Sequence, residues 1–385
     1  MLDCQKDKFS IPEGTHYLNC AYMSPMMKSV EEAGQLSIAK KRNPSVITAE
    51  DFFTESDELR QEFATLINLN DPNQVAIIPS VSYGIGNAAN NIPLSSQDEI
   101  ILIGEQFPSN VYVWMEKAKQ TGARIVTIAA PEESEGRAKR WNEAILEAIT
   151  SKTKVVAMAI VHWTDGTLFN LEAISQRVKE VDGYLIIDGT QSVGALPFDV
   201  NKIQPDALIC AGYKWLLGPY GIGIGYYSER FNDGNPIEYH WITRLHSEDF
   251  AGLVNYESQY QPGATRYDMG ERSNFILVSM QLAALRQINA WGVNQVQDYC
   301  NSIVGDQLDP LLDAGFSVES DQWRGHHLFG IRFDKKHDPK NIADMLDKKN
   351  VRVSVRGSAV RVAPYVFNSA TDIEVLVKVL TQSIL

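Results

Sequence analysis

The chain has 385 residues, too many for one ordinary hydrophobic core, so about two domains are expected. Apolar residues make up 44% and charged residues 22%, the balance of a water-soluble globular protein, and no apolar run reaches the roughly 18 residues a membrane helix needs. The net charge of −13, from 35 basic and 48 acidic residues, leaves no cationic excess for a nucleic-acid backbone, which argues against nucleic acid as a partner.

The first stretch, MLDCQKDKFSIPEG, lacks the apolar centre of a secretory signal, so a cytoplasmic location is the default expectation. Tyr17-Leu18-Asn19-Cys20-Ala21 leads through Pro25 as a turn before a helix. Apolar residues then recur at three- and four-residue spacing over 30–41 and 56–67, which predicts two surface helices. Residues 74–78 form an apolar strand, followed by a turn containing Ser80 and Ser82 and then a helix through Ala89. Backbone N–H groups at such a helix start, with a hydroxyl beside them, make an anion site, although a serine cap alone has the same pattern. The next strand, 99–103, leads through Phe107 to a helix containing Trp114, and 123–129 is strand again. The charged segment 131–140 is predicted to be a solvated connection. Strand 154–161 ends in His162-Trp163-Thr164-Asp165-Gly166, where Asp165-Gly166 is a common turn pair, His162 reads as a satisfied core residue and Trp163 is placed to line a pocket. Residues 171–181 are helical.

Two short apolar runs follow, 185–187 and 207–210, each too short for a helix and each closed by glycine, so both read as buried strands. The first ends in Asp188 and the second leads into Lys214. A carboxylate at the tip of a hydrophobic strand and a lysine among Gly, Tyr, Trp and Leu are costly to keep charged without partners. A cofactor with a basic ring nitrogen and an aldehyde would satisfy both. Asp188 would keep a pyridinium protonated, and a partly desolvated Lys214 would be nucleophilic enough for a Schiff base; that cofactor is pyridoxal phosphate. Strands alternating with helices imply a mostly parallel sheet covered on both faces, with ligands at the carboxyl ends of the strands. Ser82, Phe107, Trp163, Asp188 and Lys214 all fall just after predicted strands.

Beyond Tyr226 the pattern is irregular to Gly263, and a long helix is predicted over 277–290. Short units then alternate, with strands at 327–333, 351–355 and 361–363 and helices at 342–346 and 372–385, as in a small α/β domain. The expected organisation is an N-terminal segment, 1–25, packing near the active site, a large domain, 26–255, and a small C-terminal domain, 256–385.

The block Asp188-x-x-Gln191, Gly212-Tyr213-Lys214-Trp215 and Gly218-Pro219-x-Gly221-x-Gly223 resembles the class V aminotransferases of the fold-type I pyridoxal-phosphate enzymes, a group that includes cysteine desulfurases and isopenicillin N epimerase-like proteins. The resemblance covers nearly the whole chain. It implies a large, mostly parallel seven-stranded-type sheet domain plus a smaller α/β domain. It also implies Lys214 as the Schiff-base lysine, Asp188 on the pyridine nitrogen, Gln191 on the ring oxygen and Phe107 stacked on the ring. Val81 and Ser82 would hold the cofactor phosphate, and Tyr213, beside the lysine, would join the cofactor site. Asn19 and Trp163 would lie near the substrate, and Arg361 would grip its α-carboxylate through a planar fork. Arg356 is open between a substrate contact and a surface salt bridge. Segment 266–274 would approach the cofactor phosphate of a neighbouring subunit, so a homodimer with shared sites is expected.

Departures narrow the reading. Only Gly357, Ser358, Ala359 and Val360 separate Arg356 from Arg361, where cysteine desulfurases carry a nucleophilic cysteine in a loop. The four cysteines are scattered and form no CxxC pair, which suggests reduced thiols and no structural zinc site. Ala211 and Tyr213 stand where many relatives have serine and histidine. The run GPYGIGIG lacks the GxGxxG order, and Lys214 is followed by Trp, so dehydrogenase and P-loop readings fail. The expected function is a pyridoxal-phosphate enzyme acting on an amino acid or related primary amine, with transamination first. The alternatives are a C–S lyase, an isopenicillin N epimerase-like racemase and, from another class, a catalytically idle binding protein of the same fold.

Overall fold

Strands that are apolar on both faces must be covered on both faces, and this requirement organises most of the chain. The computed structural model describes residues 2–132, 135–333 and 338–382. After β1 (His16–Tyr17) come α1 (Lys28–Lys40), α2 (Thr54–Leu66), β2 (Val75–Ile78), α3 (Val81–Asn90), β3 (Glu99–Ile103), α4 (Tyr112–Thr121) and β4 (Arg124–Ile128). These lead to α5 (Arg137–Ala148), β5 (Thr153–Ala159), α6 (Leu171–Glu180), β6 (Tyr184–Asp188), α7 (Val200–Ile203), β7 (Ala207–Ala211) and β8 (Gly223–Tyr227). Seven of these strands form one sheet in the order β2-β8-β7-β6-β5-β3-β4. β8 runs antiparallel to both neighbours, and every other adjacent pair is parallel. Because side chains alternate along a strand, Ile77, Ile101, Ile187 and Leu208 enter one core while Ile78, Ile100, Ile186 and Ile209 enter another. The carboxyl ends of β2, β3, β5, β6 and β7 therefore share one rim.

The remainder comprises α8 (Phe275–Trp291), α9 (Val293–Val304), α10 (Asp309–Asp313), β9 (Ser317–Val318), β10 (Phe329–Arg332), α11 (Pro339–Lys348), β11 (Val351–Arg352), β12 (Ser354–Arg356), β13 (Ala359–Val362) and α12 (Ala370–Gln382). A four-stranded antiparallel sheet, β12-β13-β10-β9, carries its own core with Phe329, Val360, Ile373 and Leu376. The N-terminal segment joins this second unit: β1 pairs in parallel with β11, and Leu18 lies in the second core.

The structure departs from or refines the sequence expectations in several places. The segment 131–140 is not simply a solvated connection. Glu133 and Ser134 lie outside the described residues, but Arg137 opens α5 and is buried, with Nη1 2.7 Å from Asp165 Oδ2. A run of charges is also what a buried ion pair looks like when its partner is 28 residues away. β8 was hidden inside a glycine-rich stretch. Its Gly223 is needed because a Cβ there would sit 2.6 Å from Cys210 O of the adjacent strand. Third, the long helix predicted over 277–290 spans Phe275–Trp291 as α8 and buries Val278, Leu282, Leu285 and Ile288 in the core of the large sheet, which also takes in Val296 and Cys300 of α9. In addition, the predicted strand 351–355 is split into β11 and β12, and residues 383–385 of the predicted last helix lie outside the described residues.

The edge strand β2 is pinned by Asp268, a fully buried residue whose Oδ1 accepts the Ile77 N–H at 2.7 Å. Its Oδ2 bonds Arg60 Nη2 of α2 at 2.5 Å and Arg272 Nη1 at 2.8 Å. Removing the carboxylate leaves two buried guanidinium groups short of a counter-charge, which costs roughly 3–5 kcal/mol. Asp268→Ala is therefore expected to lose about that much unfolding free energy in urea; an unchanged midpoint would show that the triad is not holding the edge.

Candidate active site

Lys214 owes its position to a loop that closes around a side chain from another element. The Gly218 N–H bonds Gly212 O at 2.8 Å, and Gln281 of α8 reaches into the turn, donating from Nε2 to Leu216 O at 3.0 Å. A Cβ on Gly212 or Gly218 would collide with Gln281 Oε1, so the glycines are required by close approach rather than by flexibility. The lysine amine lies 5.4 Å from the centre of the Phe107 ring and 5.7 Å from that of Tyr213. It is 7% exposed, and burial lowers its pKa from 10.5 to about 8, with the Asp188 charge acting in the opposite direction.

Asp188 ends β6, the strand next to β7, and is likewise 7% exposed. Burial raises its pKa; hydrogen bonds from Thr190, including its N–H to Oδ1 at 3.0 Å, and the charge on Lys214 only partly oppose that rise. No ion pair within 4.0 Å joins the two groups or either of them to another residue among those described. Instead both line a cavity of about 270 Å³, with Val81, Ser82, Phe107 and Trp163 around it. A wider groove of about 900 Å³ elsewhere on the surface holds none of the sequence-predicted site residues.

Ser80 caps α3, its Oγ accepting the Tyr83 N–H at 3.2 Å and its carbonyl the Gly84 N–H at 3.1 Å. The N–H groups of Val81 and Ser82, the first two of the helix, have no intrahelical acceptor and lie at the cavity wall, the arrangement that binds an anion. Gln191, 5% exposed, is already engaged at both ends of its amide: Oε1 accepts Trp215 Nε1–H at 3.0 Å and Nε2 donates to Ala21 O at 3.1 Å. One amide hydrogen remains for a ligand.

Arg361 lies on β13 with its side chain 2% exposed. Nη1 donates to Trp163 O at 2.8 Å, and Nη2 approaches Asn19 Oδ1 at 3.4 Å and Ser354 Oγ at 3.3 Å, while Nε has no partner. No carboxylate pairs with it among the described residues. Burial and neighbouring Arg356 pull its pKa down to about 10, which still leaves a buried cation at pH 7. Asn19 is held in turn by Ser354 Oγ at 3.0 Å, and Trp163 stands edge-on to Phe107 at 5.5 Å.

His162 is a satisfied core residue, bonded to Thr164 Oγ1 at 2.8 Å and Gly104 O at 3.2 Å and packed on Trp141. Asp165 is also committed: burial would raise its pKa, but the His162 hydrogen bond and the charges of Arg137 and Arg332 outweigh that and hold it well below the usual range. In segment 266–274, Arg272 is tied to Asp268 and Ser273 Oγ to Phe52 O, whereas Glu271 is exposed.

Sequence reasoning overlooked the residues behind this wall. Thr190 braces both strand ends, bonding Asp188 and accepting the Ala211 N–H on Oγ1 at 3.1 Å; its signal was the Asp-Gly-Thr turn. His327, fully buried, stands edge-on to Trp215 at 4.7 Å between the carbonyl of Gln191 and the amide of Gln297. Since a carbonyl can only accept, Nε2 carries the proton, and burial lowers the ring pKa to about 4. No local pattern marked it, because its partners lie 136 and 30 residues away.

Known proteins resemble this chain in sequence and fold. The chain is similar to the uncharacterized aminotransferase YcbU of Bacillus subtilis (strain 168), 26% identical over 314 residues, or 81% of this chain and 80% of the other. A probable cysteine desulfurase of Halalkalibacterium halodurans is 26% identical over 317 residues, 78% of this chain and 72% of its own. The apo structure of a cysteine desulfurase from Thermococcus onnurineus NA1 superposes with a TM-score of 0.84 at 19% identity, covering 100% of this chain and 99% of that one, and so shares the fold. The family Aminotransferase class-V matches residues 26–378, and over that span, most of its length, the chain belongs to the class-V aminotransferase family.

Proposed function

We propose that the protein is a homodimeric, cytoplasmic, pyridoxal-phosphate-dependent enzyme that transaminates an amino acid or related primary amine. The observation that carries this reading is a buried amine with a pKa near 8 and a buried carboxylate lining one cavity without pairing. Their donor chemistry fits the cofactor: Asp188 would face the ring nitrogen, Phe107 a ring face, Gln191 the ring oxygen through its spare N–H, and Val81 and Ser82 the phosphate, with Tyr213 beside the lysine. When bound, pyridoxal phosphate supplies an electrophilic aldehyde and an electron-withdrawing protonated ring. Lys214 Nζ would hold the aldehyde carbon and, once released by substrate, would take the proton from the substrate α-carbon and deliver it to the carbon that bore the aldehyde, so that the substrate leaves as a keto acid. Arg361 holds the substrate carboxylate with Asn19 and Trp163 around it.

Desulfuration through a cysteine nucleophile is not supported. Gly357 and Ser358 make a two-residue turn between β12 and β13, leaving no room for a cysteine-bearing loop. Cys20, Cys210 and Cys300 are buried, and burial pushes each thiol pKa up, the reverse of a reactive thiolate. Racemisation and C–S elimination need the same lysine and differ in the product released. A homodimer is supported by an unusually apolar exposed stretch, with Tyr239 72%, Val254 79% and Tyr256 97% exposed beside the Phe52, Trp241 and Phe250 ring cluster.

The purified protein incubated with pyridoxal phosphate is expected to gain a visible absorption band that Lys214→Ala lacks; an unchanged band in that variant would sink the covalent role. Asp188→Asn is expected to keep the band and to lose roughly 100–1,000-fold in turnover, the cost of one displaced electrostatic contact. Turnover is measured with a panel of amino and keto acids, following keto-acid formation, ammonia and α-hydrogen exchange to separate transamination from elimination and racemisation. In cofactor-free protein, a small aldehyde with a reductant reacts only with the neutral amine. Labelling of Lys214 should therefore rise through a midpoint near pH 8, whereas a solvated lysine titrates near 10.5.

A further inference from the structure

We infer that the substrate carries a second acidic group, a dicarboxylic amino acid being the class that fits, and that Arg356 is the residue that receives it. The inference rests on the proposed function and concerns the same site.

The β12–β13 hairpin aligns Ser354 with Arg361 and Arg356 with Ala359. Side chains alternate across a sheet, so Arg356, Ser354 and Arg361 share one face, with the two arginines as diagonal neighbours about 7–8 Å apart. Both reach the same turn at the cavity wall: Arg361 Nη1 bonds Trp163 O at 2.8 Å, and the Arg356 guanidinium lies 5.7 Å from the centre of the Trp163 ring. Neither has a carboxylate within 4.0 Å among the described residues, and each has a buried Nε without an acceptor. The hydrogen bond Arg356 makes is to the carbonyl of the preceding residue, Val355, at 3.1 Å. A surface salt bridge, one of the two readings its sequence left open, is therefore not what holds it.

The acids close to this turn are already engaged or turned away. Asp165 is shared by Arg137 and Arg332, and Glu105 offers its backbone carbonyl to Trp163 Nε1 at 2.7 Å while its side chain is exposed. Two like charges side by side, one fully and one partly buried, repel each other. A single carboxylate fills one guanidinium fork in the bidentate geometry that arginine favours, which leaves the second cation without an equivalent partner. Two acid groups on one short chain can fill both forks.

The test measures binding of acids that have no amine and so cannot react. Holoenzyme is titrated by calorimetry with glutarate and with butyrate, in the wild type, Arg356→Gln and Arg361→Gln. Wild type is expected to bind glutarate at least about tenfold more tightly, the worth of one charge-assisted pair. Arg356→Gln should remove most of that advantage without changing butyrate binding, and Arg361→Gln should weaken both acids. No preference in the wild type overturns the inference, as does an equal loss of both acids in Arg356→Gln or no loss of either. If Arg356→Gln does not fold, Arg356→Lys, which keeps the charge without the fork, replaces it: a reduced preference supports the inference and an unchanged one overturns it. Because neither acid forms a Schiff base, failure here is separate from failure of the cofactor reading, which shows as absence of the visible band.

Discussion

Two opposite charges are buried in one cavity and kept from touching, and most of the surrounding structure serves that separation. Had Asp188 and Lys214 met, each would have neutralised the other, and the site would have been a structural ion pair. Held apart, both are driven toward their neutral forms, the lysine downward in pKa and the aspartate upward. A ligand with a cationic ring nitrogen at one end and an electrophile at the other relieves both costs at once. The same imbalance marks the cavity as a candidate binding site.

The separation is maintained by rigid elements rather than by the charges themselves. Parallel pairing of β6 with β7 fixes the two strand ends, and Thr190 ties one to the other. Gln281 fills the hollow of the lysine loop, and His327, neutral and locked into one tautomer, supports Trp215 and the backbone of Gln191 from the second unit. Each of these is a buried polar group hydrogen-bonded across elements, which favours a single arrangement over several.

The large sheet was legible because its strands are short apolar runs broken by glycine, and Asp188 and Lys214 stood out as charges where none should be. What the sequence hid was of two kinds. β8 was not read as a strand inside the GPYGIGIG run, because Gly223 and Gly225 there serve close strand packing. Arg137, Gln281, Gln297 and His327 gain their roles only from partners far along the chain, and no periodicity reports such a partner. Arg361 was found through a resemblance; its lack of a counter-ion is visible only in three dimensions.

The N-terminal segment carries one more consequence. β1 pairs with β11, Asn19 accepts a hydrogen bond from Ser354, 335 residues onward, and Ala21 and Ser24 bond Gln191 and the carbonyl of Tyr213. Contacts of such long range close only once both units have formed. Leu18 is covered by the second core and Cys20 by the first, so this segment is not fully buried until both cores are in place. Completion of the wall that carries Arg356 and Arg361 is thus a late event in folding, coupled to burial of the segment that bridges the two cores.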